Sequence, residues 1–177
     1  MRVRPARLSD VAAIRGCYLR SWRAAYDGHV PPDVLAEAIE SRRGFDWASG
    51  IEADDSIVLV APAAEDTVLG VLQVDERPPS PRVGPEVVML YVDPEAWGTG
   101  VARDLLAGGV SWAAHRGHRE VRLRVVEDHR RARRFYEREG WREAADLDAD
   151  RNDRARLLWY RLVLDPQGEI APDEPAR

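Results

Sequence analysis

The chain has 177 residues, 45% of them apolar, and no apolar run long enough to cross a bilayer as a helix, so it reads as one globular domain off the membrane. A net charge of −5 supplies no basic field for nucleic acid, and the single cysteine, Cys17, excludes an internal disulfide and a cysteine-built metal cluster. All 26 basic residues are arginine, so a bound phosphate would be held by guanidinium groups or backbone N–H.

The opening MRVRPARLSD lacks an apolar signal core, and together with the lone cysteine this leads us to expect a cytoplasmic protein. Val3 lies in a short strand candidate before Pro5. Ser9 has the position of a helix N-cap, with Asp10 in the first turn, where the dipole favours it. Val11, Ile14, Tyr18, Trp22 and Ala25 follow at three- to four-residue spacing and predict an amphipathic helix to about Tyr26, ended by Asp27-Gly28. Cys17 falls in that pattern as a core residue rather than a nucleophile. Pro31-Pro32 opens a second helical region, Asp33 to about Trp47. Ser56 to Ala61 and Thr67 to Val74 read as the two strands of a hairpin. Arg77 to Pro85 is an exposed loop, because its prolines remove donors and fix φ.

Val87 to Val92 is a buried-strand candidate stopped by Asp93-Pro94. Gly98 and Gly100 then open a helix with Ala102, Leu106, Val110 and Ala114 on one face, flanked by Val101 and Leu105. Gly117 ends it. Glu120 to Val126 alternates as a strand, and His129 to Glu139 is a helix stopped by Gly140. Trp141 to Leu147 and Arg156 to Leu164 are the last strands, joined across Asp148 to Arg154. The Pro-rich acidic tail, 166–177, is expected to be disordered. The order β-α-α-β-β-β-α-β-α-β-β, with one βαβ crossover from Val87 to Val126, predicts an α/β (α+β) domain over 1–165. Its sheet is mixed and mostly antiparallel, with about seven strands and about four helices.

Strand, glycine turn and helix start are how a chain presents N–H groups to a phosphate. A P-loop would need a lysine after its last glycine, and the chain has none. A dinucleotide fingerprint would need a third glycine where Arg103 stands, and glycines directly after the strand, where five residues intervene. A tight turn without a ligand stays open on the glycines alone.

Trp97-Gly98-Thr99-Gly100-Val101-Ala102 resembles the Gln/Arg-x-x-Gly-x-Gly/Ala loop of the GNAT superfamily of acyl-CoA-dependent N-acetyltransferases. The run from His129 to Trp141, with Ala132, Phe135-Tyr136-Glu137 and Gly140-Trp141, resembles that family's Asn-x-x-Ala-x-x-Phe-Tyr-Glu-x-x-Gly-Phe/Trp helix. VRPARLSDVAAI resembles its usual first strand and helix, and Ser21 to Tyr26 (SWRAAY) resembles one branch. The resemblance covers roughly Val3 to Leu164. Trp97 in place of Gln/Arg and His129 in place of Asn are the departures.

The resemblance implies a sheet splayed between its fourth and fifth strands and amide formation by direct attack of an amine on acetyl-CoA. Gly98, Thr99, Gly100, Val101, Ala102 and Arg103 would wrap the pyrophosphate, with Trp97 beside them. Backbone N–H near Leu90, Tyr91 and Val92 would face the thioester oxygen. His129, Ala132 and Phe135 would meet the donor from the second motif, and one of Arg130, Arg131, Arg133 and Arg134 would meet the 3′-phosphate. The other arginines would form a solvated face, with Arg133 paired to Glu137. Tyr136 stands at the general-acid position. Glu86 is the candidate base, against a solvated strand-edge carboxylate as the alternative, with Asp27, His29 and Asp75 as substitutes. Trp22 and Tyr26 either line the acceptor pocket or are core. His115 and His118 lack a metal-ligand grouping, so no metal is assigned. The expected partners are acetyl-CoA and an amine, with no nucleic acid and no membrane; a homodimer is common in such families. A small-amine acetyltransferase, a protein or peptide acetyltransferase and a non-catalytic acyl-CoA-binding module all remain open.

Overall fold

The computed structural model describes residues 3–26, 31–63, 67–76, 84–147, 150–151 and 156–165. The β-branched runs form strands: β1 (Arg4–Pro5), β2 (Ser56–Pro62), β3 (Val68–Asp75), β4 (Glu86–Val92), β5 (Glu120–Val126), β6 (Arg142–Glu143), β7 (Asp150–Arg151) and β8 (Arg156–Val163). The amphipathic stretches form α1 (Val11–Tyr26), α2 (Pro32–Arg42), α3 (Trp47–Glu52), α4 (Val101–His115) and α5 (Arg130–Arg138). β4 and β5 run parallel, joined through α4, while β1–β2, β5–β8, β6–β8 and β7–β8 are antiparallel. This is the mixed, mostly antiparallel α/β class expected. The chain divides into two compact units, Met1–Val74 with Met89–Gly109, and Asp75–Val88 with Val110–Arg177.

In the first unit, Arg4 faces Val60 and Pro5 faces Leu59 across β1 and β2. Pro5 is tolerated because β1 ends the strand order, where a missing N–H breaks no ladder on its outer side. Ile14, Cys17 and Tyr18 of α1 pack with Trp47 of α3, Val58 and Val60 of β2, and Val68 and Val71 of β3. Cys17 is fully buried, and burial first of all pushes its thiol up to about 11, so it is core. Ser9 does not cap α1. Leu8–Asp10 forms a 3-10 turn whose first N–H, from Arg7, donates to the Asp10 carboxylate at 2.7 Å, while Arg4 grips that carboxylate at 2.7 and 2.9 Å. The helix expected over Asp33 to Trp47 ends early, and a second, unexpected helix starts where it was expected to end. α2 stops at Arg42, and Asp46 starts α3 by accepting from Ser49 N at 3.1 Å.

α4 buries Val101, Leu105, Leu106, Val110 and Ala113, so its inward face centres on Leu105 rather than on the Ala102–Ala114 line. A Cβ at Gly70 of β3 would lie 2.7 Å from Leu105 Cδ1 and 2.8 Å from Val101 Cγ1, so these two side chains from the start of α4 rest directly on the β3 backbone.

In the second unit, β4 pairs with β5 at Glu86↔Arg122 and Val87↔Leu123, and β5 pairs with β8 from Glu120↔Val163 to Val126↔Leu157. Val121, Leu123, Val125, Trp141, Leu158, Trp159, Tyr160 and Leu162 are buried there. The strand expected over Trp141 to Leu147 shrinks to β6, because Leu147 N turns back to Ala144 O at 2.9 Å.

Candidate active site

The glycine loop belongs to the first unit. Asp93, buried just after β4, still donates its N–H to Leu69 O of β3 at 2.8 Å, while its Oδ1 accepts from Glu95 N at 3.1 Å to start the turn and Arg20 pairs with its other oxygen. Pro94–Ala96 then makes a single 3-10 turn. Gly98 and Gly100 follow at φ +79° and +93°, a region costly for any residue with a Cβ. A Cβ at Gly98 would meet nothing within 4 Å, and one at Gly100 would touch only Arg103, at 3.5 Å, so backbone dihedral rather than crowding demands these glycines. α4 starts at Val101, and the first N–H groups of a helix have no acceptor inside it. Those of Val101, Ala102 and Arg103 therefore open at the positive end of the helix dipole, a setting suited to an anion. Thr99 Oγ1 donates back to Ala96 O at 2.7 Å and braces the turn.

Trp97 keeps 39% of its surface exposed, yet its Nε1 donates to Val92 O at 2.9 Å. Ser21 Oγ of α1 lies 2.9 Å from the same oxygen and 2.8 Å from Cys17 O. The indole N–H is thus spent on strand β4 and leaves only the ring face for a ligand. Leu90, Tyr91 and Val92 are half-buried along β4, with the Tyr91 ring edge-on to Tyr18 at 4.7 Å. Trp22 lies beneath the guanidinium of Arg42, 3.5 Å from ring centroid to Cζ. Tyr26 is the last residue of α1, and its side chain falls outside the described residues, as do Asp27 and His29.

The second unit holds both proton-transfer candidates. Glu86 does not precede the strand but begins it, and at 2% exposure it is no solvated edge carboxylate. Its Oε1 accepts from Arg124 Nε of β5 at 2.8 Å. His129 caps α5, with Nδ1 accepting from Ala132 N at 3.4 Å, so the cap requires the tautomer whose proton is on Nε2. Half-buried Tyr136 has its ring centroid 5.2 Å from Phe135, 6.1 Å from Trp141 and 6.4 Å from Tyr160. Its carbonyl accepts from both Glu139 N and Trp141 N at 3.0 Å, closing α5 where Gly140 turns to φ +87°.

The expected Arg133–Glu137 pair runs through a third group. Arg133 Nε donates to Tyr160 OH at 3.0 Å, and that hydroxyl donates to Glu137 Oε1 at 2.9 Å. Arg133 also pairs with Glu143 at 3.2 Å. Burial holds the Tyr160 phenol above its usual range, with the Arg133 hydrogen bond opposing. His118 does not stand alone either: with Arg116 it grips Glu76, at 2.6 to 2.8 Å. Among the described residues, no group of three or more His, Cys, Asp or Glu is placed to hold a metal.

Sequence reasoning missed Arg124, Ser21 and Arg20, which meet Glu86, Val92 and Asp93 from far away in the chain. It also missed Arg42, although the four-residue step from Tyr18 to Trp22 already marked the aromatic face that Arg42 covers.

The model of the Acetyltransferase (GNAT) family matches residues 16–141. A mycothiol acetyltransferase of Salinispora arenicola is 36% identical over 104 residues, 58% of this chain and 33% of the relative, so the chain spans about a third of that protein's length. Among solved structures, the PaiA N-acetyltransferase of Thermoplasma acidophilum, in complex with coenzyme A, superposes with TM-score 0.70 at 17% identity, over 90% of this chain and 96% of that one. The ribosomal-protein-alanine N-acetyltransferase of Brucella melitensis gives 0.63 at 20% identity, over 93% and 100%. These two likenesses concern the fold. The family model covers well over half of the chain, including both the glycine loop and the Tyr136 helix, and the chain belongs to the GNAT family of acetyltransferases.

Proposed function

We propose that the protein transfers the acetyl group of acetyl-CoA to a primary amine by direct attack of the amine on the thioester. The observation that carries this reading is the left-handed pair Gly98 and Gly100 feeding the open N-terminus of α4 in a GNAT chain. Backbone N–H from Gly98 to Arg103, except that of Thr99, which donates to Ala96 O at 3.3 Å, would hold the pyrophosphate, and Trp97, tied to Val92, would fix the loop beside β4. Backbone N–H near Leu90 to Val92 would meet the thioester oxygen as it becomes an oxyanion. Ala132 and Phe135 of α5, the exposed His129 at its cap and one α5 arginine would contact the rest of the donor.

The amine nitrogen bonds to the acetyl carbon, the C–S bond breaks, and two protons must move. An alkylammonium with pKa near 10.4 costs about 4–5 kcal/mol to deprotonate at pH 7. A positioned base contributes about 10²–10⁴-fold, or about 3–5.5 kcal/mol, which matches that cost. Glu86, directly or through water, takes the ammonium proton in this reading. Tyr136 gives its proton to the departing thiolate and is reprotonated by the second proton that the nitrogen loses in becoming an amide.

Thiol release over a panel of amines tests the reading, with acetyl-CoA affinity measured separately by calorimetry. Tyr136→Phe is expected to lower kcat at least about tenfold while leaving acetyl-CoA affinity nearly unchanged. An unchanged kcat would remove the acid role. Acetyl-CoA binding with no turnover on any amine would make the protein an acyl-CoA-binding module.

A further inference from the structure

One polar group of the first unit has no part in the chemistry above. Arg42, at the C-terminal end of α2, lies over the Trp22 ring with Cζ 3.5 Å from its centroid, and its Nη1 donates to Ala38 O at 2.7 Å and to Ser41 Oγ at 3.4 Å. Stacking and the carbonyl hold the guanidinium in place, and the Tyr18 hydroxyl meets it from another side. No carboxylate pairs with it among the described residues. The contrast with its surroundings is sharp: neighbouring Arg43 pairs with Glu40 at 2.6 Å, and Arg4 and Arg20 pair with Asp10 and Asp93.

The Tyr18 hydroxyl faces Arg42, Trp22 and Tyr91 together. The Tyr18 ring is packed edge-on by Tyr91 at 4.7 Å and Trp47 at 5.5 Å, with Phe45 at 6.2 Å. Trp22, Phe45, Tyr91 and Arg42 are all only half-buried. The result is an aromatic wall with a few convergent polar groups, the composition of a small-molecule site. Tyr91 stands on β4 between Leu90 and Val92, whose backbone serves the thioester in the reading above.

The geometry points to an acceptor subsite in which Arg42 binds a carboxylate carried by the amine, while Trp22, Tyr91 and Phe45 cover its apolar body. This inference rests on the acetyl-transfer reading for the amine's role as acceptor, and the carboxylate assignment rests on charge. A planar fork with two phenols suits a bidentate monoanion. A single guanidinium in a chain of net charge −5 does not balance a phosphate dianion. The accepted class is therefore amino-acid-like amines with an aromatic or branched aliphatic side chain.

Matched pairs of amines test it: phenylalanine against 2-phenylethylamine, and leucine against isoamylamine. Wild type is expected to favour the carboxylate-bearing member at least about tenfold in kcat/KM. Arg42→Gln should erase that preference and leave acetyl-CoA affinity unchanged, and Arg42→Lys, which keeps the charge but loses the fork, should retain part of it. A merely structural Arg42 would lower both members of a pair alike. A wild-type preference for the decarboxylated amine, or a preference that survives Arg42→Gln, overturns the subsite. Calorimetry on the CoA-loaded protein separates this failure from failure of the acetyl-transfer reading. If no amine turns over, phenylalanine that binds wild type and not Arg42→Gln keeps the subsite and removes only the activity, whereas phenylalanine that fails to bind wild type removes the subsite.

Discussion

Glu86 lies within the sheet, and Arg124 is the charge it balances. Glu86→Gln preserves shape but leaves that guanidinium facing a neutral amide in a largely dry site, so unfolding free energy should fall by about 2 kcal/mol. Urea unfolding measures this loss, and a pH–rate profile measures the other part of the role. With Glu86 as base, kcat of the variant falls further and comes to depend on hydroxide; with a structural Glu86, the profile keeps its form. The family resemblance points to this residue, but its burial is not legible in the sequence, because Arg124 is 38 positions away. The same holds at Trp97 and His129, where the residue type marked a departure from the family pattern. Only the folded backbone shows what each does instead: the indole N–H turns back to Val92 O, and the imidazole closes the first turn of α5.

The contact that sets α4 is made by an absence of side chain. Gly70→Ala would place a methyl within 2.8 Å of both Leu105 and Val101, and of the two only Val101 sits in the first turn beside the glycine loop. Overpacking of this kind costs about 1–3 kcal/mol, so Tm should drop. Acetyl-CoA affinity should fall with it, since the displaced turn carries the N–H groups; calorimetry on the folded variant reads that loss. Element type was legible wherever period and breakers agreed. β2 to β5 and α1, α4 and α5 stand within a residue or two of their expected ranges, because proline, glycine and alternation marked their ends. Between Asp33 and Trp47 the apolar spacing ran on while Arg43-Gly44 broke the backbone, and Asp46 with Ser49 carried an N-cap that periodicity overlooks. Near Trp141, Ala144 and Leu147 looked like strand and instead close a turn, a choice fixed by long-range pairing with β8.

At the scale of the molecule, arginine is the universal cation, and its pairs give stability a pH dependence. Arg116, then His118, hold the Glu76 carboxyl down to about 2 from its ordinary 4.5. A group depressed in the folded state stabilises fully above its unfolded value, and that contribution disappears as pH falls through the folded value. Between pH 5 and pH 2 wild type should therefore lose stability more steeply than Glu76→Gln, which starts lower and lacks this titration; urea midpoints across that range decide it. The class of the fold was readable from the single crossover in an otherwise hairpin-like order. The division into two compact units was not, because it follows contacts and not chain order. One of its three boundaries falls inside β4, between Val88 and Met89. Amides of one seven-residue strand thus fall in both units. Native-state hydrogen exchange along that strand gives a flat protection profile if the protein opens as a whole, and a step at that peptide bond if each unit opens alone.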